Sequence, residues 1–270
     1  MPSYLVTGVN RGIGWEFLRQ ISNDSNNTIV GTVRNKAAVE KKIADELGNR
    51  PNLHIVEVEL ANYESIKDSV QQVSRITRGK LDYIIANAAL ISDWSAYDSI
   101  GKLGETPQEL EDDLLNCFKV NVVGNVHLFN LYIPLILKGD AKKVIAITSG
   151  LADLEVLIKY RLDHGAPYSI SKAAMNIAIG KFHAQYADEG VLFLAIAPGL
   201  IDTGHNDNVN EHQLQCLMKI GAKFNEYTPG FQPLTAEDSV AAVLKVVYGS
   251  SLENGNGGDF LSQFGNKQWL

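Results

Sequence analysis

Short β-branched runs alternate with amphipathic helical stretches along almost the entire 270-residue chain, and this alternation limits the fold more than any other feature. Tyr4–Thr7, Thr28–Val33, Leu53–Val58, Leu81–Ala86, Lys143–Thr148 and Val191–Ile196 read as strands, with a seventh expected at Asp259–Leu261. Most are unbroken apolar runs, the pattern of parallel strands covered on both faces. Between them, sets such as Ile13-Phe17-Leu18-Ile21 and Ile66-Val70-Val73-Ile76 recur at helical spacing. Strand, helix, strand, repeated, predicts right-handed crossovers and an α/β fold: a Rossmann-type doubly wound parallel sheet of about seven strands with helices on both faces. No repeat or linker interrupts it, so a single domain over 1–270 is expected. Two stretches break the rhythm. Ile91–Thr106 reads as a loop leading into helices over Pro107–Leu137, and a region over about 200–234 reads as a lid or substrate loop beyond the strand ends.

Composition narrows the function. The chain has 24 basic and 31 acidic residues, a net charge of −7, which argues against a nucleic-acid surface. Cys117 and Cys216 form no CxxC pair, and the six histidines show no H-E-x-x-H or other metal spacing, so no metal is expected. Without a visible signal peptide or an apolar run near the ~18 residues of a membrane span, a cytoplasmic protein is expected, with no membrane partner.

Thr7-Gly8-Val9-Asn10-Arg11-Gly12-Ile13-Gly14 follows the first strand and opens the first helix. Glycines let the backbone turn sharply and approach a pyrophosphate, and the helix N-terminus then faces the phosphates. About 20 positions on, where a NAD-binding unit carries an acidic residue for the ribose 2′-hydroxyl, stands Arg34. A guanidinium binds a 2′-phosphate, with Arg11 as a second cation, so NADP is the expected cofactor.

The spacing T-G-x-x-x-G-x-G resembles that of the short-chain dehydrogenase/reductase family, and further stations agree. Glu59-Leu60 stands where the family carries an aspartate near adenine. Ala86-Asn87-Ala88-Ala89 resembles its N-N-A-G, with Asn87 and Ala88 implied at the cofactor. Asn121, in Lys119–Gly124, resembles the helix asparagine that kinks around a proton-conducting water. Ala146–Gly150 resembles the catalytic-serine strand, with Ser149 preferred over Thr148. Tyr168-Ser169-Ile170-Ser171-Lys172 gives Tyr-x-x-x-Lys, selected over the decoy Tyr63…Lys67 because only Tyr168 follows a serine-bearing strand. Pro198-Gly199-Leu200-Ile201-Asp202-Thr203 resembles the station at which Pro198, Gly199, Ile201 and Thr203 meet the nicotinamide and pyrophosphate.

The resemblance implies a carbonyl–alcohol oxidoreductase, with Tyr168 as general acid/base, Ser149 holding the substrate oxygen, and Lys172 lowering the phenol's pKa while holding the nicotinamide ribose. The Ala86–Ala89 variant, with Trp94, Tyr97, Phe224, Tyr227 and Phe231 over the pocket, resembles fungal polyketide ketoreductases of the family. The gap between Ser149 and Tyr168 is longer than is common there, and Leu157–His164 is expected at the substrate entrance. His205 and His212 fall in the lid region. A homodimer or homotetramer is implied, through helices near Phe118–Leu137 and Tyr168–Glu189. Two alternatives stay open: a non-catalytic NADP-binding regulator, and a non-redox reaction in the same pocket.

Overall fold

A computed structural model describes residues 1–202, 204 and 206–270. Among these, seven strands form one sheet: β1 (Ser3–Thr7), β2 (Thr28–Val33), β3 (Leu53–Glu57), β4 (Tyr83–Ala86), β5 (Lys143–Ile147), β6 (Leu192–Ala197) and β7 (Phe260–Ser262). All pairings are parallel, in the order β3-β2-β1-β4-β5-β6-β7. The order reverses between β1 and β4, which opens the crevice where such sheets bind ligands.

The apolar strand runs follow from that burial. Leu5, Val30, Val56, Ile84, Val144 and Phe193 point to one face, where α3 (Tyr63–Ile76), α6 (Gly124–Ile136) and α8 (Ala166–Tyr186) cover them. Val6, Ile29, Ile55, Ile85, Ile145 and Leu194 point to the other, under α1 (Gly12–Ile21), α2 (Lys36–Glu46) and α10 (Ala236–Gly249). Strand side chains alternate faces, so both sets must be apolar and the sequence reads as continuous. Leu128, Tyr132 and Leu135, three apolar residues of α6, are consumed by this core, and Leu131 packs against it.

The irregular stretches carry more helix than their composition indicates. The segment after β4 contains a one-turn helix, α4 (Ile100–Leu103), before α5 (Pro107–Phe118). The lid region holds a 17-residue helix, α9 (Glu211–Tyr227). Its Asn210 and Gln213 form a reciprocal capping box, so the helix starts where a polar run suggested only loop. Leu157 lies in α7 (Leu154–Tyr160), capped by Asp153, while His164 beyond it forms an isolated antiparallel bridge with Ser99. No helix among the described residues is long and apolar enough to cross a membrane.

Candidate active site

The C-terminal ends of β1, β4, β5 and β6 bring the expected stations to one rim. At β1, Gly8 and Gly12 adopt φ of +74° and +55°, a left-handed backbone that L side chains rarely take. A Cβ on Gly8 would meet Ala88 Cβ at 2.8 Å, and one on Gly14 would drive into the Gly8 carbonyl. The loop is therefore a cradle only glycines can form. Asn87 braces it, its side-chain amide donating to the Thr7 carbonyl at 3.0 Å, while Thr7 Oγ1 accepts from the backbone of Asn87 and Ala88. Arg11 occupies the N-cap of α1 and makes no side-chain cap, so the free N–H groups beyond it at Gly12, Ile13 and Gly14 are open toward an anion. Asn10 and Arg11 are exposed at the loop's rim.

Arg34 leaves the end of β2 with its side chain 81% exposed, 4.0 Å from Glu59 beyond β3. Leu60 is buried next to Glu59, its carbonyl under Gly124. Lys42 is a further cation that motif reading missed. From α2, its ammonium reaches the Asn10 carbonyl at 3.5 Å and lies 4.1 Å from the centre of the Trp15 ring. No local signal marks it, since it reads as one of several surface lysines on α2.

On the opposite side of the crevice, Ser149 stands two residues past β5 and caps a short 3₁₀ turn, Gly150–Ala152. Its hydroxyl hydrogen-bonds with Tyr168 in the first turn of α8 and accepts from Leu151 N–H at 3.2 Å. Thr148 is buried, and its hydroxyl lacks a partner among the described residues. Lys172, one helical turn beyond Tyr168, is 3% exposed, and its ammonium donates to the Ile147 carbonyl at 2.7 Å. It lies 5.5 Å from the centre of the Tyr168 ring.

Here the electrostatics depart from expectation. Burial pushes the Tyr168 phenol up to about 12, partly offset by the Ser149 hydrogen bond, instead of Lys172 pulling it down. Burial likewise brings Lys172 down to about 8. Both charged forms lose water, and the ammonium is drawn to a backbone carbonyl.

Asn121 sits in a five-residue π turn, Lys119–Val123, between α5 and α6. Its amide nitrogen donates to the Leu90 carbonyl and to Ser171 Oγ, both at 2.9 Å, and its oxygen accepts from Leu90 N–H at 2.7 Å. Its main-chain carbonyl accepts from Asn125 Nδ2 at 2.9 Å. The side chain thus ties the loop after β4 to the helix carrying Tyr168. Asn125 and Ser171 were not singled out from sequence, although Asn-x-x-x-Asn on one helix face was legible.

Pro198 and Gly199 follow β6. Gly199 has φ +88°, the Pro198 carbonyl accepts from Ser239, and Ile201 pairs with Leu234. Thr203 and His205 lie outside the described residues. A cavity of about 270 Å³ opens between Arg11 and the lid, lined by Tyr97, Val209 and Gln213. A second, of about 170 Å³, lies beside Leu200, Phe231, Leu234 and Gln263. Of the expected roof aromatics, Tyr97 is buried, Trp94 is 36% exposed, Phe224 packs edge-on against Phe231, and Tyr227 against Tyr160. Trp269, also missed, stacks on Phe260 and packs beside Gly150, next to Ser149.

Comparisons with known proteins agree with this fold. Residues 3–214 match the family model described as short chain dehydrogenase. A short chain dehydrogenase of Hypocrea virens is 52% identical over 271 residues, and a short-chain dehydrogenase/reductase of Pestalotiopsis fici is 46% identical over 273, each covering 100% of both chains. In fold, the chain is similar to an NADPH-bound carbonyl reductase from chicken fatty liver, with a TM-score of 0.77, 24% identity and 98% of each chain covered. A short chain dehydrogenase from Burkholderia cenocepacia in complex with NADP gives 0.73 at 21% identity, covering 98% of this chain and 97% of that one.

Proposed function

The chain belongs to the short-chain dehydrogenase family, and from that membership we propose that it is an NADP-dependent oxidoreductase interconverting a carbonyl and an alcohol. The observation carrying this reading is the convergence of Ser149, Tyr168 and Lys172 on the rim that also bears the glycine cradle. That cradle, which a Cβ would fill, and the open N-terminus of α1 fit a pyrophosphate. Arg34, with Arg11 and Lys42 nearby, fits the added 2′-phosphate, and the two nucleotide-bound fold neighbours carry NADPH and NADP. When bound, the cofactor supplies or accepts the hydride.

The chain's own residues do the rest. Ser149 Oγ holds the substrate oxygen next to Tyr168 Oη. Tyr168 delivers its proton to that oxygen as negative charge builds on it, and Lys172, one turn along, would hold the nicotinamide ribose. Burial keeps the phenol in the protonated form that reduction needs, and its raised pKa makes it the weaker donor until charge builds on the substrate oxygen. Asn121 holds α8 in register through Ser171. The small cavity beside Leu200 and Phe231 suits an apolar portion of the substrate.

The test is Tyr168→Phe. Consumption of NADPH with a panel of carbonyl compounds is expected to fall about 10²–10⁴-fold while NADPH binding persists. Undiminished turnover in that variant refutes the assignment. Retained binding without turnover by the wild-type protein supports the non-catalytic alternative instead.

A homo-oligomer is supported by a different surface from the α6 face. Leu115, Phe118, Ile170 and Ile177 are 42–69% exposed on the adjoining helices α5 and α8. Such an apolar stripe is more than a lone exposed residue requires. Light scattering on the eluting protein should give at least twice the 29.6 kDa chain mass, and a monomer overturns the proposal.

A further inference from the structure

One group of side chains outside the catalytic rim combines three metal-ligating chemistries. Asp98, in the segment between β4 and α4, faces the first turns of α9. His212 Nε2 lies 2.9 Å from Asp98 Oδ1 and 3.2 Å from Oδ2, and 3.7 Å from Cys216 Sγ. All three donor atoms fall within 4.8 Å of one another. His212 and Cys216 are four apart on α9 and so share a face, whereas Asp98 arrives from 114 residues away. His212 is exposed and the other two are partly exposed, so an ion can reach them from solvent.

The geometry separates two uses of such a trio. A nucleophilic relay needs the carboxylate on one imidazole nitrogen and the thiol on the other. Here both neighbours converge on the same nitrogen, Nε2, which excludes a relay. One ring nitrogen cannot donate to a carboxylate and accept from a thiol at once, so with protons alone one of the two contacts goes unmet. A cation at the common vertex satisfies both, together with the ring.

We propose that Asp98, His212 and Cys216 form a binding site for a thiophilic divalent cation of the zinc type, with water in the fourth position. Thiolate, neutral imidazole and carboxylate are the donors such ions take, while Mg²⁺ and Ca²⁺ require oxygen shells. Binding releases the thiol proton to solvent and involves no change of oxidation state. The site clasps the N-terminal end of the lid helix to the segment carrying Tyr97. The far end of α9 is already fastened, Lys223 pairing with Asp163 and Tyr227 Oη accepting from Trp269 N–H. The cavity beside Arg11 has Tyr97 and Gln213, neighbours of Asp98 and His212, in its wall, so the bound ion holds that wall shut. The site stands apart from the proposed catalysis and is tested without turnover.

Co²⁺ is titrated into the reduced, cofactor-free 270-residue chain. The expected result is a thiolate-to-cobalt charge-transfer band saturating at one equivalent and displaced by Zn²⁺. It should vanish in Cys216→Ala, persist in Cys117→Ser, and need at least about tenfold more Co²⁺ in His212→Ala. Circular dichroism confirms that each variant is folded. As a second measurement, Zn²⁺ at a hundredfold excess over its Kd raises the wild-type folded-to-unfolded ratio about 100-fold, which Mg²⁺ does not, and Asp98→Asn blunts the effect. Absence of the band in folded wild-type protein, or its survival in Cys216→Ala, overturns the proposal.

Discussion

Replacing Lys172 with methionine isolates the cost of placing an ammonium beside the Tyr168 phenol. Lys172 is 3% exposed, and burial brings it from 10.5 to about 8. At about 1.4 kcal/mol per pH unit, the folded protein carries roughly 3 kcal/mol of penalty at neutral pH, where the side chain is charged in both states. Methionine keeps the length and apolar contacts but loses the hydrogen bond to the Ile147 carbonyl, which takes back about 1 kcal/mol. Lys172→Met should therefore be more stable than wild type by about 2 kcal/mol at pH 7, and inactive.

The pH dependence carries the sharper signature. Because the folded value lies below the unfolded one, the unfolded chain binds more protons between about 8 and 10.5. Wild-type stability then gains on the variant as pH rises through that window, and the difference shrinks. Urea denaturation of cofactor-free protein at pH 7 and at pH 9.5 measures both quantities. A variant less stable than wild type at pH 7, or a difference unmoved by pH, would refute the claim that desolvation dominates this lysine.

Two further perturbations bear on the cofactor. Arg34→Asp removes the best-placed cation for a 2′-phosphate and puts a carboxylate in its place. NADPH should bind about 5- to 30-fold more weakly and NADH no worse, since an exposed charge-assisted contact is worth on the order of 1–2 kcal/mol, and fluorescence titration of both nucleotides decides it. In Gly14→Ala the new methyl meets the Gly8 carbonyl and Asn87 Nδ2, the latter at 2.6 Å. Backbone cannot yield as a flexible side chain does, so a loss of about 3 kcal/mol in stability and a collapse of nucleotide affinity are expected, and an unchanged urea midpoint would contradict the close approach.

How much was legible differs by element. The strands could be read because both faces of a parallel sheet are buried, so hydrophobicity alone marks them, and their boundaries fell within two residues of the structure. The glycine turn was legible because positive φ and close backbone approach admit almost nothing else at Gly8 and Gly14. Helix α9 was not, because its apolar face is narrow and its only strong local signal is the Asn210–Gln213 box. Lys42, Trp269 and the Asp98–His212–Cys216 group were beyond motif reading altogether. Each acquires its role from a neighbour distant in the chain, and a spacing rule sees only neighbours close in it.

What the sequence determined by itself is the alternating layered fold, the glycine cradle and the order in which the hydroxyl, phenol and ammonium stations occur, because each depends on local backbone freedom or on burial pattern. Tertiary structure decided which way the charges lean. The phenol is raised and the ammonium lowered because the surrounding core strips both of water, a loss set by every segment that closes over them and written in no stretch of the chain alone.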